Sequence, residues 1–307
     1  MFKLWSLNSR RVEYENQVQS KEAIVSISTM KETLFVCDKS GIIEQWMLSE
    51  DTKAWILKGF FRFPKRILLI PKIIFFTLLG SVQCETVGFC GSLHFKLNSQ
   101  NVFSVNHSQD SRVEIRSFPE TDSCSALPLQ TLQPKTFSKT SFGMCLCFAV
   151  RHSCESTNDA THLLVGYENG SVVLWSLQDL TMLDEMQLYS DPVMSLDYNS
   201  NVNKGVCVSA GRDVIFWTIT DSGKLVECCR RAMTNPGGSC VRIRSDGRIA
   251  AVGCWDSRAR VFSVKSGKLL AVLDLHKTSV QSVSFSDDGL LALAAKDGAM
   301  SLWDFYR

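Results

Sequence analysis

The residues best suited to holding a metal are Cys145, Cys147, His152, Cys154 and His162, sulfur and imidazole donors crowded into one stretch of the 307-residue chain. Zinc takes four such donors, usually as pairs two to four residues apart. Cys145 and Cys147 sit closer than that in MCLCFAV, which reads as a strand with both thiols on one face, and no Cys-x-x-Cys pair occurs. Buried reduced thiols are the expectation, with no metal and no cofactor. Adjacent Cys228 and Cys229 point to opposite faces of a strand and make no site. His276 and Asp297 could be read as a catalytic dyad with Ser279 or Ser282 as nucleophile. That chemistry requires a hydroxyl within hydrogen-bond reach of the base and a third group orienting it. Serines are spread through the whole chain, and no acid, base or metal set converges with these, so no enzyme is expected. Phosphate loops are absent as well: KSGK (265–268) and NPGG (235–238) read as turns. Arg242 with Arg244, and Arg258 with Arg260, alternate along strands and so share faces, where guanidinium groups could clamp carboxylates of an acidic partner or close ion pairs within the fold.

The elements that would position these groups repeat. Short strands ending on a large side chain recur as FKLWSL (2–7), SGIIEQWML (40–48), DSRVEIRSF (110–118), NGSVVLWSL (169–177), RDVIFWTI (212–219), DSRARVFSV (256–264) and DGAMSLWDF (297–305). Their closing residues are Trp5, Trp46, Arg116, Trp175, Trp217, Phe262 and Trp303, at intervals of 41, 70, 59, 42, 45 and 41 residues. Four intervals match one four-stranded propeller blade of about 40–45 residues. Asp-Gly, Asn-Gly, Ser-Gly or Asp-Ser precedes the closing residue in five units, as tight strand–turn–strand hairpins require. The fold class is therefore all-β: a single β-propeller over residues 1–307, with repeats 8–48, 49–118, 119–177, 178–219, 220–264 and 265–307, and residues 1–7 as a fragment of an incomplete first blade.

Composition fits a globular chain, with 45% hydrophobic and 21% charged residues and a formal net charge of only +2. That balance carries no footprint of nucleic-acid binding, which shows as a clustered basic surface. The twelve cysteines follow no disulfide spacing, and MFKLWSLNSRR lacks a signal-peptide core, so a cytoplasmic or nuclear location is expected. Residues 56–80, ILKGFFRFPKRILLIPKIIFFTLLG, are apolar and basic at once. Their best apolar run, 67–79, falls short of the roughly 20 residues of a spanning helix. They read as an insert in a blade, with an interfacial anchor as the rival; membrane binding is not expected.

The last repeat, LDLHKTSVQSVSFSDDGLLALAAKDGAMSLWDF, resembles a complete unit of the WD-repeat family. The resemblance implies a structural hydrogen-bonded chain through His276, a second-strand hydroxyl, Asp297 and Trp303, with Trp46, Trp175 and Trp217 as the matching aromatics of other repeats. Ala294 and Ala295 stand where the hydroxyl is sought, so that member is expected to be missing. ETVGFC (85–90), GYENGSVVLW (166–175), DPVMSLDY (191–198), TNPGG (234–238) and WDSRARVF (255–262) together resemble the guanine nucleotide-binding protein subunit beta-like protein 1 family, whose fungal members are ASTRA-associated proteins. What this implies is a non-enzymatic adaptor acting with the cochaperone assembly that matures phosphatidylinositol-3-kinase-like protein kinases. An adaptor in chromatin-remodelling or other signalling complexes, or one held at a membrane by residues 56–80, is the alternative. A Gγ partner is not expected, because the chain opens on a strand rather than on apolar heptads.

The first unit is read as opening at its blade's last strand, with the three strands expected before FKLWSL missing, as is the leading strand that normally completes the last blade. Seven blade positions with the first incomplete, in a truncated isoform or imperfect gene model, are the expectation. Partners are expected to be proteins, bound at the rim where second-to-third-strand turns emerge. That rim carries Asp38, Lys39, Tyr167, Glu168, Arg212, Trp255 and Lys296, with Arg258 and Arg260 as further partner-binding candidates on a strand face, and Trp255 leads because interface hot spots favour tryptophan.

Overall fold

The computed structural model describes residues 2–6, 11–16, 23–30, 33–50, 74–84, 90–107, 110–117, 130–134, 141–153 and 159–305, and every regular element among them is a strand. Two compact units account for the chain: residues 1–84 with 118–126, and residues 85–117 with 127–307.

In the first unit, β1 (Phe2–Ser6) and β2 (Arg11–Asn16) form a two-stranded sheet. β3 (Ile24–Met30), β4 (Thr33–Asp38), β5 (Ile42–Glu50) and β6 (Ile74–Gln83) form a four-stranded blade. The end of the 56–80 stretch is thus the blade's fourth strand, running antiparallel to β5 from Ile74 opposite Glu50 to Gln83 opposite Ile42. Residues 56–73 lie outside the described residues.

The second unit holds five blades. They are β7 to β10 (Leu93–Leu97, Gln100–Asn106, Val113–Ser117, Gln130–Leu132), β11 to β14 (Cys145–His152, Ala160–Tyr167, Ser171–Ser176, Met182–Gln187), and β15 to β18 (Val193–Asn199, Lys204–Ser209, Asp213–Ile219, Leu225–Ala232). β19 to β22 (Gly238–Ile243, Ile249–Cys254, Ala259–Ser263, Leu269–Leu273) and the three-stranded β23 to β25 (Val280–Phe285, Leu290–Ala295, Met300–Asp304) complete the set. The fold is all-β and of WD-repeat propeller type; among the described residues six sheets are blades of three or four strands, one in the first unit and five in the second, and the first of the seven positions read from the sequence is the two-stranded sheet β1–β2.

Blades in the second unit pack face to face through four apolar clusters, one between each consecutive pair. Both faces of the β11–β14 and β15–β18 sheets are therefore buried, which is why the third strands β13 and β17 read as continuous apolar runs rather than as half-polar alternation. In β13, Val173 and Trp175 face the preceding blade while Val172 and Leu174 face the next. In β17, Ile215 and Trp217 do the first and Val214 and Phe216 the second. Burying each such side chain contributes about 1.5–3 kcal/mol. Outer strands lose this constraint: β18 is exposed along most of its length and carries Glu227, Arg230 and Arg231.

Sequence repeat and sheet are out of phase. β14 follows Trp175, yet pairs with β13, so the strand opening one repeat completes the blade of the repeat before it. A β-bulge falls immediately before the closing aromatic in β1–β2, β5–β6, β13–β14, β17–β18 and β21–β22. Each bulge adds local twist at the same depth of the blade.

Candidate protein-interaction rim

The turns joining second to third strands are built by a short acid or amide that folds back on the backbone. Asp38 Oδ1 accepts from the amides of Ser40 and Ile42 at 2.9 Å each, Asn169 Oδ1 from the Ser171 amide at 2.9 Å, and Asp297 Oδ1 from the Ala299 amide at 3.0 Å. Before Asn169 and Asp297 the preceding side chains, Glu168 and Lys296, are exposed, whereas Cys37 before Asp38 is buried.

Trp255 is the preceding side chain in the turn between β20 and β21, and it is 46% exposed. Its indole lies flat on Gly237, where a Cβ would stand 2.2 Å from the ring. Gly237 has φ +97°, a backbone region that side chains rarely adopt, so glycine is required there twice over. The Trp255 amide donates to Gly237 O at 2.9 Å, and the Gly237 amide donates to Gly211 O at 2.8 Å. The NPGG loop is thereby a platform that holds one face of an indole and leaves the rest open. The same loop binds the turn carrying Arg212, since the Met233 amide donates to Arg212 O at 2.7 Å. Arg212 and Lys296 are exposed.

Other rim candidates are engaged elsewhere. Tyr167 is not at the surface: it is fully buried against Phe142, its hydroxyl donates to Ser111 O at 3.2 Å, and burial, with Cys145 adding to it, pushes that hydroxyl well above the usual range. The alternation of β12 turns this position into the core between blades. Glu168 is exposed, but its Oε2 accepts from the Met144 amide at 3.1 Å. Arg258 pairs with Asp274 at 3.0 Å. Arg260 is 3% exposed and donates both terminal nitrogens to Asp256, at 3.1 and 2.7 Å. Burial raises the Asp256 carboxyl, but hydrogen bonds from Arg260 and Asn235 and the Arg260 charge outweigh it and bring the pKa to about 2. Arg244 is likewise buried and bound to Asp246, while Arg242 is exposed. The two arginine pairs therefore do not present shared cationic faces: Arg244, Arg258 and Arg260 each close an ion pair within their own blade.

The hydrogen-bonded chain of the last repeat exists with a different hydroxyl. Ser301 Oγ lies 2.9 Å from His276 Nε2 and accepts from Trp303 Nε1 at 2.9 Å. The expectation of a missing hydroxyl is corrected: it comes from the third strand, two residues before the tryptophan and on its face, not from the second. Asp297 caps its own turn. The same offset recurs. Trp46 Nε1 donates to Glu44 Oε2 at 2.9 Å, and Arg116, standing where a tryptophan is expected, donates to Glu114 Oε2 at 2.9 and 2.6 Å. Where that position holds Val173 or Ile215, the buried indole N–H groups of Trp175 and Trp217 turn instead to the Tyr167 hydroxyl and the Cys207 thiol. Sequence reading missed this position, though the period-two pattern of EQW, EIR and SLW marks it.

The sulfur and imidazole donors do not converge. Cys145 Sγ lies 4.0 Å from Cys90 Sγ, Cys147 Sγ turns toward Val193 O at 3.5 Å, and burial pushes both thiols well up. His162 Nδ1 meets Thr161 Oγ1 at 2.9 Å, and Cys154 lies outside the described residues. No group of three or more His, Cys, Asp or Glu among the described residues is placed to hold a metal. No helix among them is long and apolar enough to cross a membrane.

Comparison with known proteins agrees with this architecture. The family description WD domain, G-beta repeat matches residues 267–304. The chain is 36% identical over 234 residues to mouse guanine nucleotide-binding protein subunit beta-like protein 1, covering 75% of this chain and 68% of that protein. It is 26% identical over 263 residues to ASTRA-associated protein 1 of Schizosaccharomyces pombe, with 78% and 66% covered. For the Schizosaccharomyces japonicus protein of that name the figures are 28% over 223 residues, with 67% and 57% covered.

Proposed function

Because the chain belongs to the WD-repeat family of guanine nucleotide-binding protein subunit beta-like protein 1, we propose that it is a protein-binding adaptor whose working surface is the rim around Trp255. The observation that carries this reading is the half-open indole on its glycine platform. Interface hot spots favour tryptophan and arginine on rigid, preorganised supports, and Trp255 and Arg212 stand on turns tied to one loop by backbone hydrogen bonds. The blades supply stiffness; the rim supplies choice of partner.

The finer reading is that the complexes joined are cochaperone assemblies that mature phosphatidylinositol-3-kinase-like protein kinases. The fungal relatives named ASTRA-associated protein 1 support it. Affinity purification of the full chain against its Trp255→Ala form tests both levels. Loss of partners with an unchanged melting temperature supports the rim, and cochaperone subunits among the lost proteins support the finer reading. Full retention of partners by the variant sinks the rim assignment.

A further inference from the structure

Outer strands of the second unit's blades guard their open edges in different ways. β10 has only three residues, β14 carries Asp184 and Glu185, and β18 carries Glu227, Arg230 and Arg231. β22, LLAVL, is neither short nor charged, and its β-bulge at Leu270 is a feature that β14 and β18 share. Leu269, Leu270 and Val272 are 45%, 53% and 47% exposed, and Leu275 just beyond is exposed as well. β22 is the last strand of its sheet, so one row of its amides and carbonyls has no ladder partner among the described residues. A strand of this kind is a template for another strand unless something blunts it.

We infer that β22 is a self-association edge, pairing antiparallel with β22 of a second copy of this chain about a two-fold axis through Ala271. The flanking charges select a second copy over an unrelated strand. In KLLAVLD, rotation about Ala271 sets Leu270 opposite Val272 and Leu269 opposite Leu273, and brings Lys268 opposite Asp274 at both ends of the ribbon. Opposite charges directly across an antiparallel pair stabilise it, as do paired branched apolar side chains. A two-fold contact of this type closes at the dimer. Lys268 is exposed, and Asp274, although it meets Arg258, keeps its carboxylate 59% exposed. β25, the other apolar edge of this unit, lacks the symmetry: rotation about Leu302 would set Asp304 opposite Met300. Two five-residue strands cover less than the roughly 800 Å² per partner of a stable interface, so the dimer is weak and its signature is dependence on concentration.

Sedimentation velocity of the full chain from about 1 to 200 μM tests it, a range that brackets micromolar dissociation constants. The wild type is expected to pass from monomer to dimer. Leu270→Lys is expected to weaken dimerisation at least about tenfold, and Lys268→Asp, which sets like charges across both ends, several-fold. The swap Lys268→Asp with Asp274→Lys restores the pairing in reverse and is expected to recover the wild-type constant. Melting curves show that each variant folds, and Asp274→Lys alone measures the lost Arg258 pair. A monomer at every concentration overturns the inference, as does a dimer indifferent to Leu270→Lys or a swap that recovers nothing.

Discussion

Glu114 holds Arg116 by a single oxygen: Nε and one terminal guanidinium nitrogen both donate to Oε2, at 2.9 and 2.6 Å, with both side chains nearly buried. In the first blade Glu44 accepts from Trp46 in the same relation. The carboxylate, not the closing residue, is the shared element, and this explains how a repeat tolerates arginine in place of tryptophan. Removing Glu114 takes away the carboxylate to which Arg116 donates twice, so Glu114→Val should cost about 1.5–3 kcal/mol in denaturant unfolding. Arg116→Trp should cost much less. The double change imitates Val173 and Trp175 and should recover most of the loss, a coupling that a double-mutant cycle reads directly.

Ser301 serves two partners at once, and its removal should be felt through both. Ser301→Ala should destabilise by about 1–3 kcal/mol, because His276 and the Trp303 indole lose their common oxygen in a site too buried for water to replace it freely. Thr278→Ala, which touches only the Asp297 amide at an exposed turn, should cost well under half as much in the same melts.

Acid should weaken the fold in two windows. Burial holds His94 neutral, with its pKa lowered from 6.5 to about 3. The unfolded chain therefore takes up that proton first, and stability falls as pH drops from about 6.5 toward 3. Asp256, lowered from 3.8 to about 2, contributes stability that is complete above pH 4 and lost between about 4 and 2. His94→Gln should reduce the slope of the upper window, to which His162, also lowered by burial, contributes too, and leave the lower window unchanged. Asp256→Asn should reduce the slope of the lower one, which Asp110 and Asp246 share, while lowering stability at neutral pH by about 3–5 kcal/mol, since Arg260 is left buried without its carboxylate. Urea melts across pH 2–8 measure both.

Gly237→Ala separates platform from side chain. The added methyl would collide with the indole, and φ +97° strains any side chain there, so the variant should lose about 1–3 kcal/mol. Its tryptophan fluorescence should report a displaced Trp255, and capture of partners should fall even though Trp255 itself is intact. Unchanged capture with a displaced indole would detach the rim from binding.

The strands were legible because alternation, turn chemistry and closing aromatics repeat along the chain, and each of these is local. Trp255 was legible because an aromatic is out of place in a polar turn. Tyr167 and Arg260 misled because position beside a turn does not say which way a strand has rotated; only packing of one blade on the next decides that. The hydroxyl of the last repeat was sought at Ala294 and Ala295 because the family pattern puts it on the second strand, whereas Ser301 reaches the same indole from the third. Which strands complete a blade turned on pairing partners, which spacing does not encode: among the described residues β2 joins β1, and no fourth strand joins β25.

The phase difference between repeat and blade sets how this chain would come apart. Each connecting segment ends in a strand zipped into the sheet behind it, so a protease cutting such a segment severs the backbone without freeing either piece. Cleavage and loss of structure are separate events here, and a nicked chain would still migrate as one particle until denaturant opened the ladder.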